Sequence, residues 1–471
     1  MTMLTQAGAA GRSAARPSRA IGQQARHDEQ QRLIAGSLLW LSLLTVTYLW
    51  VSQGGVQDLS GLTTALDSTG RLTGLVSADL LLVQVLLMAR LPWLERPYGQ
   101  DRLARIHRII GFTSFNLMLA HVGLITWGYA AGRLTDTPAT LWSLTTDSPG
   151  MLLAVAGSLC LVMVAVTSMR ASRAMLRYES WHLLHLYAYL GVGLALPHQL
   201  WTGQEFLTST VATVYWWSAW AIAASTILVF RLGVPVWRTL RHRITVTHVT
   251  TEIPGTISIH MSGRALDRLR PGAGQFFTWR FMTREGWTRG HPYSLSSGDL
   301  GGDLRITVKK LGDGSAALES LKQGTRVMIE GPYGRLTSRS RTRERIAFFG
   351  AGVGVTPLRA LAEQLDYRPG EAVFVQRYTD VPLFADEFDV LSRQRELGLL
   401  WLPGRRRAPD SWLPTGLPES DDATLMRHWI PDIADRDLFI CGPDAWAASV
   451  HRAAVNAGVP ATQIHIESFS W

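Results

Sequence analysis

The chain has 471 residues, 47% of them hydrophobic and 18% charged, with a formal net charge of +9. This is too long for one compact domain, and the composition fits a hybrid of membrane-embedded and water-facing parts. Basic residues stand in short blocks beside apolar stretches rather than as a nucleic-acid surface, and the two cysteines, Cys160 and Cys441, exclude a disulfide framework and lack zinc or iron–sulfur spacing.

Residues 1–32 are rich in Ala, Gly, Gln and Arg without apolar periodicity, and a disordered cytoplasmic tail is expected there. The first apolar run begins near Leu33 and is long enough to span a bilayer, so it does not read as a cleavable signal peptide. Apolar runs recur at 33–52, 72–91, 106–130, 151–169, 182–200 and 211–231. Each is close to the ~20 residues that a spanning helix needs. Arginines cluster before the first run, between the second and third, between the fourth and fifth, and after the sixth, while the other loops carry few. The positive-inside rule then predicts a six-helix transmembrane bundle over 33–235 with both termini cytoplasmic, a multi-pass arrangement in the cell membrane.

Four histidines fall inside these runs: His107 and His121 on the third, His185 and His198 on the fifth. Ionisable side chains at membrane depth are expensive and usually functional. The third and fifth spans run in the same direction, so His107 and His185 share the cytoplasmic half and His121 and His198 the outer half. Neutral imidazoles on facing helices suit the axial positions of a haem iron. Fourteen residues separate the first two histidines and return to within about 40° of one helix face. Thirteen separate the second two and miss by about 140°, an objection that Pro197 answers if it re-aims His198. His182 lies nearest the arginine-rich border and reads as interfacial.

After Arg243 the pattern changes to short β-rich runs at 244–249, 256–261, 275–280, 304–309 and 326–330, which predict an antiparallel β-barrel over 238–338. Between two of these runs lie His291, Pro292, Tyr293 and Ser294, where an aromatic can cover an isoalloxazine ring and a hydroxyl can reach its polar edge. Lys309 and the turn containing Gly314, Ser315 and Ala316 are expected to open a helix that holds a pyrophosphate. From 341 to 471 strands alternate with helical patterns, as in a parallel α/β layer. Gly350, Ala351, Gly352, Gly354, Thr356 and Pro357 form a glycine-rich strand-to-helix turn that allows close approach to a dinucleotide phosphate. Cys441, Gly442 and Pro443 end a later strand, where open α/β sheets bind ligands. Arg377 and Arg405 follow two adjacent strands, and such forked donors suit a 2′-phosphate and favour NADPH over NADH. The chain closes on Phe469 and Trp471, and a terminal aromatic is a candidate to stack on flavin.

Together these residues resemble the ferric reductase and NADPH oxidase superfamily, over roughly 33–471. The resemblance implies two b-type haems on the histidine pairs, FAD on the barrel and a nicotinamide nucleotide on the α/β domain. It also assigns Cys441, Phe469 and Trp471 to the hydride-transfer centre. Tyrosine at 293 and serine at 294 stand where animal oxidases more often look like Phe and Thr, which leans the reading toward bacterial reductases. The expected activity is NAD(P)H-dependent transmembrane electron transfer to a ferric chelate or dioxygen. The alternative is a haem-binding membrane subunit that serves quinone or a periplasmic protein, its soluble part mainly a docking module. The expected partners are the lipid bilayer and a small-molecule acceptor, with no nucleic acid; protein partners stay open.

Overall fold

The computed structural model describes residues 23–467, apart from 177, 270, 285, 286, 288 and 299–302, and also residue 469. Trp471 lies outside the described residues. Two compact units emerge: one comprises Arg32–Leu94 and Gln100–Leu232, the other Met1–Gln31, Glu95–Gly99 and Gly233–Trp471.

The first unit is helical, and the helical part of the chain runs on to His242 in the second. In chain order the helices are α1 (Gln23–Ser52), α2 (Leu62–Met88), α3 (Pro92–Tyr98), α4 (Gln100–Tyr129), α5 (Thr137–Asp147), α6 (Met151–Ser168), α7 (Arg170–Met175), α8 (Tyr178–Thr202), α9 (Gln204–Thr208), α10 (Thr210–Thr226) and α11 (Val234–His242). A π-helical stretch, Ile227–Gly233, joins α10 to α11. Among the described residues, five helical segments are long and apolar enough to cross a membrane: Arg26–Ser52, Leu62–Met88, Gln100–Tyr129, Met151–Ser168 and Thr210–His242. The protein is a multi-pass membrane protein. Helix α8, expected as a sixth span, has 25 residues but is not among these five. His182, His185, Pro197, His198 and Gln199 dilute its apolar character.

Two sequence expectations need correction here. Gln23–Arg32, expected in a disordered tail, extends α1 as helix. The last apolar run does not stop near 231 but continues as helix to His242, and the first barrel strand, Thr245–Ile253, begins within the expected β-rich run at 244–249. The physical reason in both places is that a helix already nucleated extends at little cost through polar residues.

Small residues set the packing of the bundle. Helix α6 lies along α8, and a Cβ on Gly157 would sit 2.6 Å from the Gly191 carbonyl oxygen, so only glycine permits that approach. Helix α4 lies along α2 in the same close way. On α1, Leu38, Trp40, Leu41, Leu44 and Tyr48 are all more than half exposed, an apolar face suited to lipid rather than water.

The second unit holds two layers in sequence. The first comprises β1 (Thr245–Ile253), β2 (Thr256–Ser262), β3 (Phe276–Phe281), β4 (His291–Ser294), β5 (Asp303–Lys309) and β6 (Val327–Tyr333), with the single turn α12 (Asp313–Ala316) after β5. They form two antiparallel three-stranded sheets, ordered β1-β2-β5 and β4-β3-β6. Isolated bridges Thr245–Arg326 and Leu295–Ile306 stitch the sheets together around a core that includes Ile259, Phe277, Trp279, Ile306 and Ile329. Alternate residues of β6 are buried, as expected for strands with one face on a core.

The second layer runs β7 (Arg345–Ala351), α13 (Val355–Gln364), β8 (Ala372–Tyr378), α14 (Ala385–Arg395), β9 (Gly398–Pro403), α15 (Asp422–Trp429), β10 (Arg436–Cys441), α16 (Asp444–Asn456) and β11 (Ile464–Glu467). The sheet order is β11-β10-β7-β8-β9, and every pairing is parallel. β10 is buried along its whole length, as a central parallel strand covered on both faces should be.

Candidate functional site: two histidine pairs and a dinucleotide module

The four membrane histidines meet in pairs. The ring centroids of His107 and His185 lie 6.1 Å apart, and those of His121 and His198 6.2 Å apart. At that separation each pair could hold one iron between its two rings, and neutral imidazole would serve as its ligand. Their helices α4 and α8 pack mainly on α2 and α6, not on one another, so the rings meet across helices held apart.

In the His121–His198 pair, hydrogen bonds fix which ring nitrogen is free. His121 Nδ1 donates to the Gly70 carbonyl at 2.8 Å, which leaves Nε2 with its lone pair. Thr202 donates its hydroxyl proton to the His198 carbonyl at 2.7 Å, so its Oγ1 accepts from His198 Nδ1 at 2.9 Å. His198 Nε2 is thereby left as the ligand atom too. His185 Nδ1 lies 3.2 Å from Ser168 Oγ. A Cβ on Gly74 would come within 2.5 Å of His121 Nδ1, and one on Gly150 within 2.9 Å of the His198 backbone nitrogen. These two glycines and Gly70 are site residues that the sequence reading missed. Small residues in an apolar span, facing a histidine, are the signal that could have found them. His182, read from the sequence as interfacial, is exposed and outside both pairs.

In the antiparallel layer, His291–Ser294 is itself a strand, paired with β3 from Phe276 opposite Ser294 to Trp279 opposite His291. His291 and Tyr293 fall on one face, their rings parallel within 4° and 5.7 Å apart. Trp279 Nε1 donates to the Tyr293 carbonyl at 2.9 Å and anchors the strand. Burial pushes the Tyr293 phenol up to about 12, so it stays protonated and hydrogen-bond-donating at neutral pH. Among the described residues Ser294 Oγ is buried without a hydrogen-bond partner, an orphan donor of the kind a ligand satisfies. Pro292 is exposed on the opposite face.

A Cβ on Gly314 would lie 3.2 Å from His291 Cε1, which brings the two sequence motifs together. The expected helix there is only the four-residue turn Asp313–Ala316. Ser315 Oγ accepts from the Leu311 and Gly312 backbone N–H groups at 2.9 and 3.1 Å, so its hydroxyl shapes the turn. A phosphate there would be held by Lys309, exposed at the end of β5, and by backbone N–H groups, not by a helix dipole.

The parallel sheet aligns the remaining motifs in one row. Gln376, Gly350, Cys441 and Glu467 are register partners across β8, β7, β10 and β11. Ala351 pairs with Arg377 one step further. Gly352 has φ +55°, a left-handed conformation that favours glycine. A Cβ on Gly354 would collide with the Cys441 carbonyl, so the glycine-rich turn and the Cys441–Gly442–Pro443 segment are in contact. Thr356 and Pro357 are buried at the start of α13, and Thr356 Oγ1 donates to the Val353 carbonyl at 2.9 Å. Cys441 itself is fully buried, and burial with the nearby Glu467 charge pushes its thiol well up, so it is not a thiolate nucleophile. Phe469 is partly exposed.

The two halves are similar to different sets of known proteins. Residues 73–196, which contain all four paired histidines except His198, match the family described as "Ferric reductase like transmembrane component". The ferredoxin reductase component of 3-ketosteroid-9-alpha-monooxygenase from Mycolicibacterium smegmatis is 31% identical over 44% of this chain. The chain joins a ferric-reductase-like transmembrane domain to a ferredoxin-reductase-type FAD/NAD-binding module. The chain spans 57% of the length of that M. smegmatis relative and 64% of its Rhodococcus rhodochrous counterpart. The flavohemoprotein of Pseudomonas aeruginosa is 28% identical over 38% of this chain and 46% of its own. A solved ferredoxin NADP+ reductase from Neisseria gonorrhoeae, with bound FAD and NADP, is 18% identical over 48% of this chain and 97% of its own, with a TM-score of 0.37.

Proposed function

We propose that this protein is a transmembrane flavocytochrome that moves electrons from cytoplasmic NADPH, through FAD and two b-type haems, to an acceptor on the far side of the membrane. The observation that carries this reading is the pair of facing histidine couples, at 6.1 and 6.2 Å, on helices inside the ferric-reductase-like segment and its continuation. The reading takes α8 as a sixth span and both termini as cytoplasmic, supported by the arginine blocks. When bound, FAD accepts two electrons as a hydride and releases them singly, and each haem carries one.

The chain's own residues supply orientation. His107 with His185, and His121 with His198, would hold the two irons. His291, Tyr293 and Ser294 would hold the flavin, Ser294 by the buried hydroxyl that lacks a partner. The turn at Gly350–Pro357 and the Cys441–Pro443 segment would hold the nicotinamide nucleotide, and Phe469 and Trp471 would shield the flavin until it arrives.

The preference for NADPH rests on Arg377 and Arg405. Arg377 Nη2 donates to the Gly404 carbonyl at 3.0 Å, and its Nε is buried without a partner. Burial and then the neighbouring Arg406 lower its proton affinity, as expected for a cation without an acidic partner. Arg405, next to Gly404, is exposed. Arg407, by contrast, is tied to Asp422 at 2.5 Å and holds its own loop. The test is steady-state NADPH oxidation in purified membranes with ferric citrate, dioxygen and a quinone offered separately. Turnover with ferric citrate or dioxygen supports the reading; turnover with quinone alone makes quinone the acceptor, and no NADPH oxidation favours the docking-module alternative.

A further inference from the structure

Asp79 lies in the middle of α2 and is 3% exposed, among residues that are otherwise apolar or weakly polar. No ion pair reaches it among the described residues. From Leu33 to Ser52, α1 carries no charged residue, and neither does α10. The groups that face it are hydroxyls: Ser42 of α1, with Oγ 2.7 Å from Asp79 Oδ2, and Tyr215 of α10, with OH 3.1 Å from Oδ1. Tyr215 is the one titratable side chain bonded to it among the described residues. A carboxyl group at this depth is costly unless it has a use.

The hydrogen bonds around Asp79 are complete in either protonation state. When it is ionised, Ser42 and Tyr215 each donate to one carboxylate oxygen. When it is protonated, Oδ2–H donates to Ser42 Oγ, and the Ser42 hydroxyl turns to the Leu39 carbonyl, 3.1 Å away. Tyr215 keeps its bond to Oδ1 throughout. A purely structural carboxyl needs only one of these arrangements; a carboxyl that gains and loses a proton needs both.

Its level along α2 links it to the histidine pairs. Gly74 touches His121, and Gln84 touches Gly111, one turn after His107. Asp79 stands five residues from each, about 7.5 Å along the helix axis. We infer that Asp79, with Ser42 and Tyr215, is a proton-binding site coupled to reduction of the haems. Each electron that arrives from the reductase module adds one negative charge to the bundle. A proton from the aqueous phase, bound to the Asp79 carboxylate, offsets it, and the same proton leaves to water when the electron moves on. The charge balance matters because uncompensated charge is expensive in a low-dielectric interior.

This inference rests on the two-haem reading. The experiment uses the full-length protein in nanodiscs, with haem midpoint potentials measured across pH and redox-difference infrared spectra recorded in H2O and D2O. The wild type should show potentials that fall as pH rises, and a carboxylic C=O band that grows on reduction and shifts in D2O. Asp79→Asn should abolish the band and flatten the pH dependence while retaining normal haem absorbance. Asp79→Glu should restore both, and Ser42→Ala, which removes a donor to the ionised form, should move the pH window upward. If Asp79→Asn does not assemble, Ser42→Ala carries the test alone, since a pH window left at its wild-type position in that variant would overturn the coupling. Wild-type potentials independent of pH, or a slope unchanged in Asp79→Asn, overturn this inference only. A wild type without haem absorbance overturns the two-haem reading as well.

Discussion

The helical bundle and the reductase module solve the same problem, the burial of polar groups, in opposite ways. In the bundle several buried polar side chains are satisfied by a backbone carbonyl: His121 by Gly70, Ser77 by Ser114, and Trp50 Nε1 by Ser68. Its strongest charge cluster, Arg71 with Asp58 and Glu205, lies near the α1–α2 loop and α9 rather than in mid-span. In the module, buried arginines are held in networks. Arg305 of β5 and Arg359 of α13 both grip Glu387 of α14, at 2.7 and 2.5 Å, and both donate to the Ser296 carbonyl just after the flavin motif. Apolar surroundings favour neutral side chains with backbone partners; a water-facing module can hold charge in multi-armed pairs and use it to join its two layers.

The sharpest way to break this comparison is in the bundle. His198→Ala should remove or alter the outer haem and leave the inner one, read as half the low-spin absorbance. Gly74→Leu should do the same without touching a ligand, because the space beside the His121 ring is closed to a side chain. Full haem content in both variants would sink the outer-pair assignment.

In the module the matching test is Glu387. Arg305 and Arg359 side chains are only 13% and 9% exposed, so Glu387→Ala takes the bonded carboxylate from Arg305 and leaves Arg359 with Glu363 alone. The module should lose about 2–3 kcal/mol, discounted because Glu387 itself is about a third exposed, and its melting temperature should fall accordingly. Burial acts to raise the Glu387 carboxyl, but the Arg305 and Arg359 guanidinium groups outweigh it and hold it below its usual range. A depressed carboxyl stabilises the fold above its unfolded value and loses that contribution as pH falls through the folded one. Acidification below about pH 4.5 should therefore lower the melting temperature, and less steeply in Glu387→Gln.

Two smaller effects sharpen the assignment of the cofactor surfaces. Arg377→Ala with Arg405→Ala should raise KM for NADPH about tenfold or more, from contacts worth roughly 1.5–3 kcal/mol each, and leave KM for NADH little changed. Equal losses with both nucleotides would remove the 2′-phosphate assignment. Ser294→Ala should weaken FAD retention severalfold, in line with about 1 kcal/mol for one neutral hydrogen bond. Equilibrium dialysis of the purified protein against FAD reads this directly, and an unchanged affinity would release Ser294 from the flavin.

Much of this was legible in the sequence because it depends on local pattern. Apolar runs near 20 residues, arginine blocks, histidines at matched depths and a glycine-rich strand-to-helix turn are all one-dimensional signals. His185 and His198 are the instructive case, since ideal helical spacing puts them on different faces. Helix α8 continues through Pro197, which cannot donate to the Gly193 carbonyl, and both rings still reach their partners on α4. The arginine triplet 405–407 is another case. By sequence its members are alike, yet Arg407 is consumed by Asp422 and Arg406 by the Pro409 carbonyl.

What the sequence determined by itself is therefore the order of the parts and the chemistry each can hold, because helix length, strand alternation and turn residues act over a few neighbours. Only the tertiary structure decided which polar groups meet. Asp79 finds Ser42 37 residues before it and Tyr215 136 residues after it, and Arg305 finds Glu387 82 residues on. Such pairings are set by how helices and sheets pack around their cores, and no local pattern in the chain encodes them.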